Sequence, residues 1–188
     1  MASSTIRKGT LAAIVGIPAA AALLTMIPRE ESGRTVKAEV AADGTATVTH
    51  MSGRQYLRAY LDIAGVATAC DGITRGVAMG RRYTEAQCAA MLERELVAHA
   101  TGVMNCTPSL WPAGRDMPRA AAVSLALNIG VPAWCGSTAR RRFEAGDWRG
   151  GCAAFKLWDK ARVGGVLRPV AGLTARRERE AALCLKGL

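Results

Sequence analysis

One short run of this chain predicts a β-ribbon that carries a carboxylate and a hydroxyl: Tyr60-Leu61-Asp62-Ile63-Ala64-Gly65-Val66-Ala67-Thr68-Ala69-Cys70-Asp71-Gly72. Gly65 and Gly72 mark its turns, because glycine accepts backbone angles that tight turns require. Asp62 and Thr68 are six residues apart, so both side chains can face one side of a tight ribbon. Each also has a simpler interpretation, since an Asp before a turn often caps its own backbone and Thr is common in strands.

The composition indicates a mostly helical protein. The length of 188 residues suits one domain with an N-terminal extension. Half of the residues are hydrophobic, but aromatic residues make up only 5%. An Ala-rich, aromatic-poor chain favours closely packed helices over a sandwich of strands. We therefore expect an α+β fold with a helical majority and a small β element.

The charge balance points to a polyanionic partner without identifying it. The chain has 25 basic and 15 acidic side chains, for a net charge of +10. Such a surface attracts nucleic acid, anionic lipid or the anionic polymers of a bacterial envelope. No basic run alternates with aromatic residues, and no zinc-finger or RNA-binding signature is present. We expect no nucleic-acid partner.

The cysteines and histidines argue against a metal site. The cysteines are dispersed over the second two-thirds of the chain: Cys70, Cys88, Cys106, Cys135, Cys152 and Cys184. None of them form a C-x-x-C pair, and the chain has only two histidines, so we predict no metal and no cofactor. The even set fits buried thiols in a cytosolic protein or disulfides in an oxidising compartment.

The N-terminus favours the oxidising compartment. Residues 9–27 carry no charge and come directly after Arg7-Lys8, so they have the length and flank of a membrane helix that exports the rest of the chain. Ala, Gly and Thr dominate the segment, and Pro18 interrupts it, so its hold on a bilayer is weak. We predict that residues 1–28 tether the protein and later leave the membrane. A cleaved signal peptide and a permanent anchor are the alternatives.

The rest of the chain divides into a short connection and a globular domain. Residues 29–49 alternate in character around Asp43-Gly44, which predicts either a small hairpin or a flexible linker. The domain is expected over residues 50–188. Capping signals and apolar stripes predict helices at about 52–60, 84–99, 119–129, 137–146 and 147–158, and from 174 onwards. The helix at 119–129 is apolar on all sides and should be the central one.

Motifs spread along the domain resemble those of one enzyme family. They are Tyr83-Thr84-x-x-x-Cys88, Asn128-Ile129-Gly130 with Ser137-Thr138 after it, Glu144-Ala145-Gly146-Asp147-Trp148, and Trp158 … Gly164-Gly165 … Gly172-Leu173-x-x-Arg176-Arg177-x-x-Glu180. Together with the ribbon, and in consistent order over residues 56–184, they resemble the phage-type lysozymes of glycoside hydrolase family 24. Residues 1–28 resemble the signal-anchor-release segment of some phage endolysins.

The resemblance implies both a fold and an activity. The fold would be lysozyme-like, with a small β-ribbon lobe and a larger helical lobe on either side of a sugar-binding cleft. The activity would be that of a muramidase, which hydrolyses the β-1,4 bond between N-acetylmuramic acid and N-acetylglucosamine of bacterial peptidoglycan during host lysis. The implied location is the host inner membrane, through residues 9–27, and then the periplasm.

The resemblance also assigns residues. Asp62 and Thr68 match the family's Asp and Thr, which activate a water molecule, and they are the candidate catalytic residues. Asn128 and Arg176 are the candidate substrate-binding residues. Asn128 has the simpler interpretation of a helix C-terminal cap, and Arg176 that of a solvated helix face.

One expected residue is missing at its expected spacing. The family's general acid is a Glu nine residues before the Asp, and that position holds Gly53. The sequence leaves open an inactivating substitution, an acid from elsewhere, substrate assistance by Asp62 alone, or a lysozyme-like protein that binds cell wall or a protein partner without cleaving. The candidate carboxyls from elsewhere are Asp71, Glu39, Glu30 and Glu31. Strand alternation favours a structural role for Asp71, and Glu39 is more simply a solvated charge.

Overall fold

Helices make up most of the molecule, and three two-stranded antiparallel sheets complete it, in a computed structural model that describes residues 9–62 and 64–188. The helices are α1 (Leu11–Val15), α2 (Ile17–Ser32), α3 (Glu85–Cys106), α4 (Asp116–Ile129), α5 (Val131–Cys135), α6 (Thr138–Glu144), α7 (Trp148–Ala153) and α8 (Ala171–Leu185), with 3₁₀ turns at Pro108–Leu110 and Ala154–Trp158. The strand pairs are β1 (Thr35–Val40) with β2 (Ala46–Ser52), β3 (Tyr60–Leu61) with β4 (Ala67–Thr68), and β5 (Lys160–Val163) with β6 (Val166–Pro169). The predicted helical majority with a small β element is confirmed.

Local capping signals explain where several helices begin. The Thr84 side chain accepts a hydrogen bond from the backbone of Gln87, and the Gln87 side chain accepts one from the backbone of Thr84. This reciprocal pair satisfies two backbone donors that a helix start leaves open. Ser137 caps α6 and Asp147 caps α7, each with one side-chain oxygen that accepts a backbone hydrogen bond from the first turn. The predicted starts of these three helices are confirmed.

The core is centred on α4. Every residue of this helix from 118 to 126 is buried, as its all-apolar surface predicts. The positive φ of Gly130 ends the helix and turns the chain into α5. Beside it, the ring of Trp134 packs edge-on against Phe155 and at a tilt against Phe143.

The N-terminal helices belong to the same core. The uncharged run 9–27 is broken at Gly16, which has a φ of +88°, and Arg119 donates a hydrogen bond to the carbonyl of Val15 at the break, over 2.8 Å. The buried residues of these helices are Leu11, Ala12, Val15, Ala19, Ala20, Leu23, Leu24, Ile27 and Pro28. Within the described residues, no helix combines the length and the apolar character needed to cross a membrane. The predicted boundary after residue 28 lies inside a helix, because α2 runs on to Ser32.

Residues 29–49 hold a hairpin, which is one of the two predicted alternatives. β1 pairs with β2 from Val40↔Ala46 at the turn to Thr35↔Ser52 at the open end. The chain therefore leaves the body after α2 and returns to nearly the same place. Gly53 lies at this return, since a Cβ on it would stand 2.8 Å from the Cα of Arg34.

The predicted helix at residues 52–60 is wrong. The segment is extended instead, and its backbone pairs with distant parts of the chain. Cys70 donates to the carbonyl of Tyr56 over 2.8 Å, and Tyr83 donates to the carbonyl of Leu57 over 2.7 Å. These non-local hydrogen bonds use the carbonyls that a helix would need internally, so tertiary pairing overrides the local propensity.

The cysteines form disulfides, as expected. The pairs are Cys70–Cys88, Cys106–Cys135 and Cys152–Cys184. The first joins the end of the ribbon to α3, the second joins α3 to α5, and the third joins α7 to α8. Because each bond closes a loop between separate elements, each restricts the unfolded chain and stabilises the fold.

Candidate active site

The ribbon presents its acid and its hydroxyl at a tight turn. Tyr60 pairs with Thr68 across the two strands, so these two side chains lie on one face. The ladder continues into the turn, because the backbone N–H of Asp62 donates to the carbonyl of Val66 over 3.0 Å. Asp62 therefore lies, like Tyr60 two residues before it, on the face that also carries Thr68. The predicted ribbon and its shared face are present.

The Asp62 carboxylate is oriented by its own turn. Its Oδ1 accepts hydrogen bonds from the backbone N–H groups of Ala64, over 2.9 Å, and Val66, over 2.8 Å. Both bonds end on the same oxygen, so the carboxylate has a defined direction while the residue stays half-buried. The turn-capping interpretation of Asp62 is thus correct at Oδ1.

Thr68 lies at the inner end of the ribbon. It is only 3% exposed, and its Oγ1 donates to the carbonyl of Val66 over 3.0 Å. The hydroxyl oxygen remains an acceptor, since a hydroxyl has two lone pairs beyond its donated proton.

A glutamate from the last turn of α2 reaches this ribbon. The Oε2 of Glu31 lies 3.5 Å from the place where a Cβ on Gly72 would stand, just beyond Thr68 on the same ribbon. Its Oε1 accepts a hydrogen bond from Nη1 of Arg176 over 2.8 Å. The Glu31 side chain is 28% exposed, so it is held at one end and open to solvent at the other.

The other candidate carboxyls are occupied elsewhere. Asp71 is buried and accepts from Nε and Nη2 of Arg34, over 2.6 and 2.7 Å. Glu39 is 65% exposed and forms an ion pair with Lys37 on the same strand. Glu30 accepts two hydrogen bonds from Arg179 over 2.7 Å each. Asp71 therefore has the structural role, and Glu39 the solvated one, that the sequence favours for them. Among the candidate carboxyls from outside the ribbon, Glu31 is the one that reaches it.

A buried network on α8 holds Arg176 in place. Besides Glu31, Arg176 contacts Glu180, with 3.2 Å between Nε and Oε1. Ser124 of α4 donates to the same oxygen over 2.6 Å. Burial raises the pKa of the Glu180 carboxyl, against the opposing effect of the guanidinium groups beside it. Because Arg176 is buried between two carboxylates, it is a partner of Glu31 and not a solvated side chain, while its contact with substrate stays a prediction.

Asn128 is exposed and is the next-to-last residue of α4. Its Oδ1 accepts a hydrogen bond from Nη2 of Arg177 over 2.9 Å. Because the amide oxygen faces Arg177, the NH₂ group of Asn128 points away from Arg177. The predicted position of Asn128, where the central helix ends, is correct, while its contact with substrate stays a prediction.

Metal binding has no support in the described part of the chain. No group of three or more His, Cys, Asp or Glu side chains there is arranged to hold a metal ion.

Residues 51–180 match the family model of the phage lysozymes. This chain belongs to the phage lysozyme family. It is 33% identical over 156 residues to the SAR-endolysin of Enterobacteria phage P21, a match that covers 82% of this chain and 90% of that protein. Among solved structures, the endolysin from Escherichia coli O157:H7 phage FAHEc1 aligns with a TM-score of 0.69 at 25% identity, covering 89% of this chain and 92% of that one. The muramidase domain of SpmX from Asticaccaulis excentricus aligns with a TM-score of 0.63 at 26% identity, covering 70% of this chain and 88% of that one.

The β1–β2 hairpin changes the result of counting residues back from Asp62, because it lies between Glu31 and Asp62 in the chain. The expected spacing assumes that the acid and the ribbon are joined directly, but this phage lysozyme has the β1–β2 hairpin between them. Since the hairpin returns to where it starts, Glu31 ends α2 beside the ribbon although it is far from Asp62 in sequence. The predicted hairpin at 29–49 is the signal that favours Glu31 among the four candidate carboxyls, because counting past it brings Glu31 close to the family's spacing.

Gly53 is a structural residue of this lysozyme, and replacing it should destabilise the fold without restoring an acid. We expect Gly53→Glu to lower the thermal midpoint and to leave peptidoglycan hydrolysis no faster than in the parent. The reason is twofold: Gly53 has a φ of +92°, and its new Cβ would meet the Arg34 backbone. Thermal unfolding and a turbidity assay on cell walls measure the two effects. Gly146→Ala is a matched control, because Gly146 has a φ of +77° with open space around it. Faster hydrolysis by Gly53→Glu than by the parent would contradict this prediction and show that a Glu at position 53 can serve as the general acid.

Proposed function

We propose that this phage lysozyme is an endolysin of the muramidase type, which hydrolyses the β-1,4 bond between N-acetylmuramic acid and N-acetylglucosamine of peptidoglycan. Glu31 is the general acid, and Asp62 and Thr68 activate the attacking water. The observation that carries the proposal is the position of Glu31, at the end of α2 and against the ribbon that bears Asp62 and Thr68. Membership of the phage lysozyme family and the likeness to a muramidase domain support it.

The roles derive from the requirements of glycosidic bond cleavage. Glu31 gives its proton to the bridging oxygen as the bond from that oxygen to the sugar carbon breaks. A water on the other face bonds to that carbon, and the Asp62 carboxylate takes its proton. The Thr68 hydroxyl accepts a hydrogen bond from the same water and fixes its position. Arg176 holds one oxygen of Glu31, which leaves the other free to face the substrate.

Export and release complete the proposal. The uncharged run 9–27 after a basic N-terminus tethers the new protein to the host inner membrane, and the protein later leaves the membrane for the periplasm. The similarity to the SAR-endolysin of phage P21 supports this route. The folded state with α1 and α2 inside the core corresponds to the released form, and the three disulfides suit an oxidising compartment. Because these helices belong to the core, the full-length chain is the protein to assay.

The bond that is cleaved can be read from the fragments. Full-length oxidised protein is incubated with purified peptidoglycan, the products are reduced with borohydride, and their reduced end sugars are identified. We expect reduced N-acetylmuramic acid, with no new free amino groups, and no such ends from the Asp62→Asn variant. Reduced N-acetylglucosamine or freed peptide amines would mean another bond is cleaved. Binding without any product would favour the alternative of a non-cleaving wall-binding protein.

A further inference from the structure

The last turn of α2 is held less firmly by its own backbone than the rest of the helix. Pro28 lies inside α2 and has no N–H, so the hydrogen bond from this position to the preceding turn is missing. The helix then ends four residues later, at Ser32, and Gly33 caps it in the left-handed conformation. Side-chain contacts therefore add to the backbone hydrogen bonds in setting the orientation of the turn that carries Glu31.

Two arginines of α8 supply those contacts on one side. Arg176 and Arg179 are three residues apart, so both project from the same face of α8. Arg176 binds Glu31 over 2.8 Å, and Arg179 binds Glu30 through two hydrogen bonds of 2.7 Å. Glu30 and Glu31 point in directions about 100° apart around α2. Fixing both of them fixes the rotation of the turn.

The Glu30–Arg179 pair has the features of a structural clamp. The Glu30 side chain is only 5% exposed, and the planar guanidinium meets both of its oxygens. Burial alone would raise the pKa of Glu30, but the hydrogen bond and charge of Arg179, with help from Arg176 and Arg29, lower it below the ordinary value. Glu30 is therefore ionised under neutral conditions and keeps its partner. On the other side of the turn, Ser32 donates to Asp71 over 2.7 Å.

We propose that Arg179 is a positioning residue for catalysis, which acts through Glu30 to set the rotation of the last turn of α2 and so aims Glu31 at the ribbon. This inference rests on the proposed role of Glu31 as the general acid. The guanidinium of Arg179 directs its two hydrogen bonds to Glu30, and Glu31 is held by Arg176. The effect of Arg179 on the reaction comes from where Glu31 points.

The test is a double-mutant cycle in the full-length oxidised protein. The variants are Arg179→Met, which keeps the aliphatic stem, Glu30→Gln, and the two combined. Values of kcat and KM are measured on soluble, uncross-linked glycan strands, together with the thermal midpoint. We expect Arg179→Met to lower kcat by about tenfold to a hundredfold with KM nearly unchanged, because a misplaced catalytic group costs rate rather than binding. In the Glu30→Gln background the same change should have almost no further effect.

Two further variants separate positioning from general damage. Arg179→Lys keeps the charge and one hydrogen bond, so it should recover part of the lost kcat. Lys37→Gln removes one member of an exposed ion pair on β1 and should leave kcat and KM unchanged. Unchanged kcat in Arg179→Met would overturn the proposal. The proposal would also be overturned if the kcat losses of Arg179→Met and Glu30→Gln multiply in the double variant. It would be overturned, too, if the kcat loss of Arg179→Met goes together with a lowered thermal midpoint and Arg179→Lys recovers none of it.

The parallel variant Glu31→Gln distinguishes the acid assignment from the positioning role. If Glu31→Gln is inactive while Arg179→Met is fully active, the positioning role is wrong and the acid assignment stands. If Glu31→Gln keeps full activity, the acid assignment fails, and the positioning role fails with it because there is no acid for Arg179 to aim.

Discussion

Replacing Glu31 by Gln should lower the kcat of peptidoglycan hydrolysis by about 10² to 10⁴-fold, the usual contribution of a positioned general acid. Gln has nearly the same shape as Glu, and its amide oxygen still accepts a hydrogen bond from Arg176, so the turn keeps its orientation. It has no acidic proton to give to the leaving oxygen. KM should change little, since the lost interaction acts in the transition state. Initial rates on soluble glycan strands measure both constants.

Two comparisons make this result specific. Glu39→Gln removes an exposed carboxylate on the hairpin and should keep parental activity. The thermal midpoint of Glu31→Gln should stay close to that of the parent, because the residue is partly exposed and its substitute keeps one contact. A Glu31→Gln enzyme within a few-fold of the parent would rule out this acid. Activity absent already in the parent, with cell-wall binding retained, would instead support the non-cleaving alternative.

Replacing Asp71 by Ala should cause the largest loss of stability, about 3–5 kcal/mol, the usual cost of removing one partner of a buried ion pair. Asp71 accepts two hydrogen bonds from Arg34 and one from Ser32, and both charged side chains of the pair are buried. Without the carboxylate, the Arg34 guanidinium keeps only its contact with Glu85. Urea unfolding of the oxidised protein, at constant slope, measures the difference.

The control for Asp71→Ala lies on the neighbouring hairpin. Glu39→Ala also deletes a carboxylate from an ion pair with a cation, but both partners are exposed. Its midpoint in urea should not move measurably, because water replaces the lost partner. Equal midpoints for the two variants would show that Asp71 does not hold α2 and the ribbon together. The combined Arg34→Met and Asp71→Leu variant should lose less stability than Asp71→Ala, since it leaves no buried charge unpaired.

How well the sequence predicted an element depended on whether its hydrogen bonds are local. The starts of α3, α6 and α7 were predicted because Thr84, Ser137 and Asp147 each cap a helix through a hydrogen bond to a residue only three positions away. The hairpin around Asp43-Gly44 is local in the same sense. The helix predicted at 52–60 was wrong because the hydrogen bonds of this segment are not local: the carbonyls of Tyr56 and Leu57 accept from residues far along the chain.

The candidate site divides in the same way. Asp62 and Thr68 were predicted together because one turn of one ribbon carries both, and the structure places them on a shared face. Glu31 was only one of four open candidates for the acid, because its distance from the ribbon depends on how the intervening residues fold. Arg176 was predicted at the site but with a different partner, since nothing in α8 alone indicates that Glu31 approaches it.

The sequence by itself determined the helical class, the ribbon with Asp62 and Thr68, the caps of α3, α6 and α7, and the order of motifs that marks a phage lysozyme. These features depend on side-chain periodicity and on contacts between near neighbours. Only the tertiary structure decided that Glu31 stands beside the ribbon, which cysteines pair, and that the N-terminal run lies in the core as two helices. Each of these depends on packing between segments far apart in the chain, where the β1–β2 hairpin, the arginines of α8 and the buried surface of α4 bring together residues that no local spacing relates.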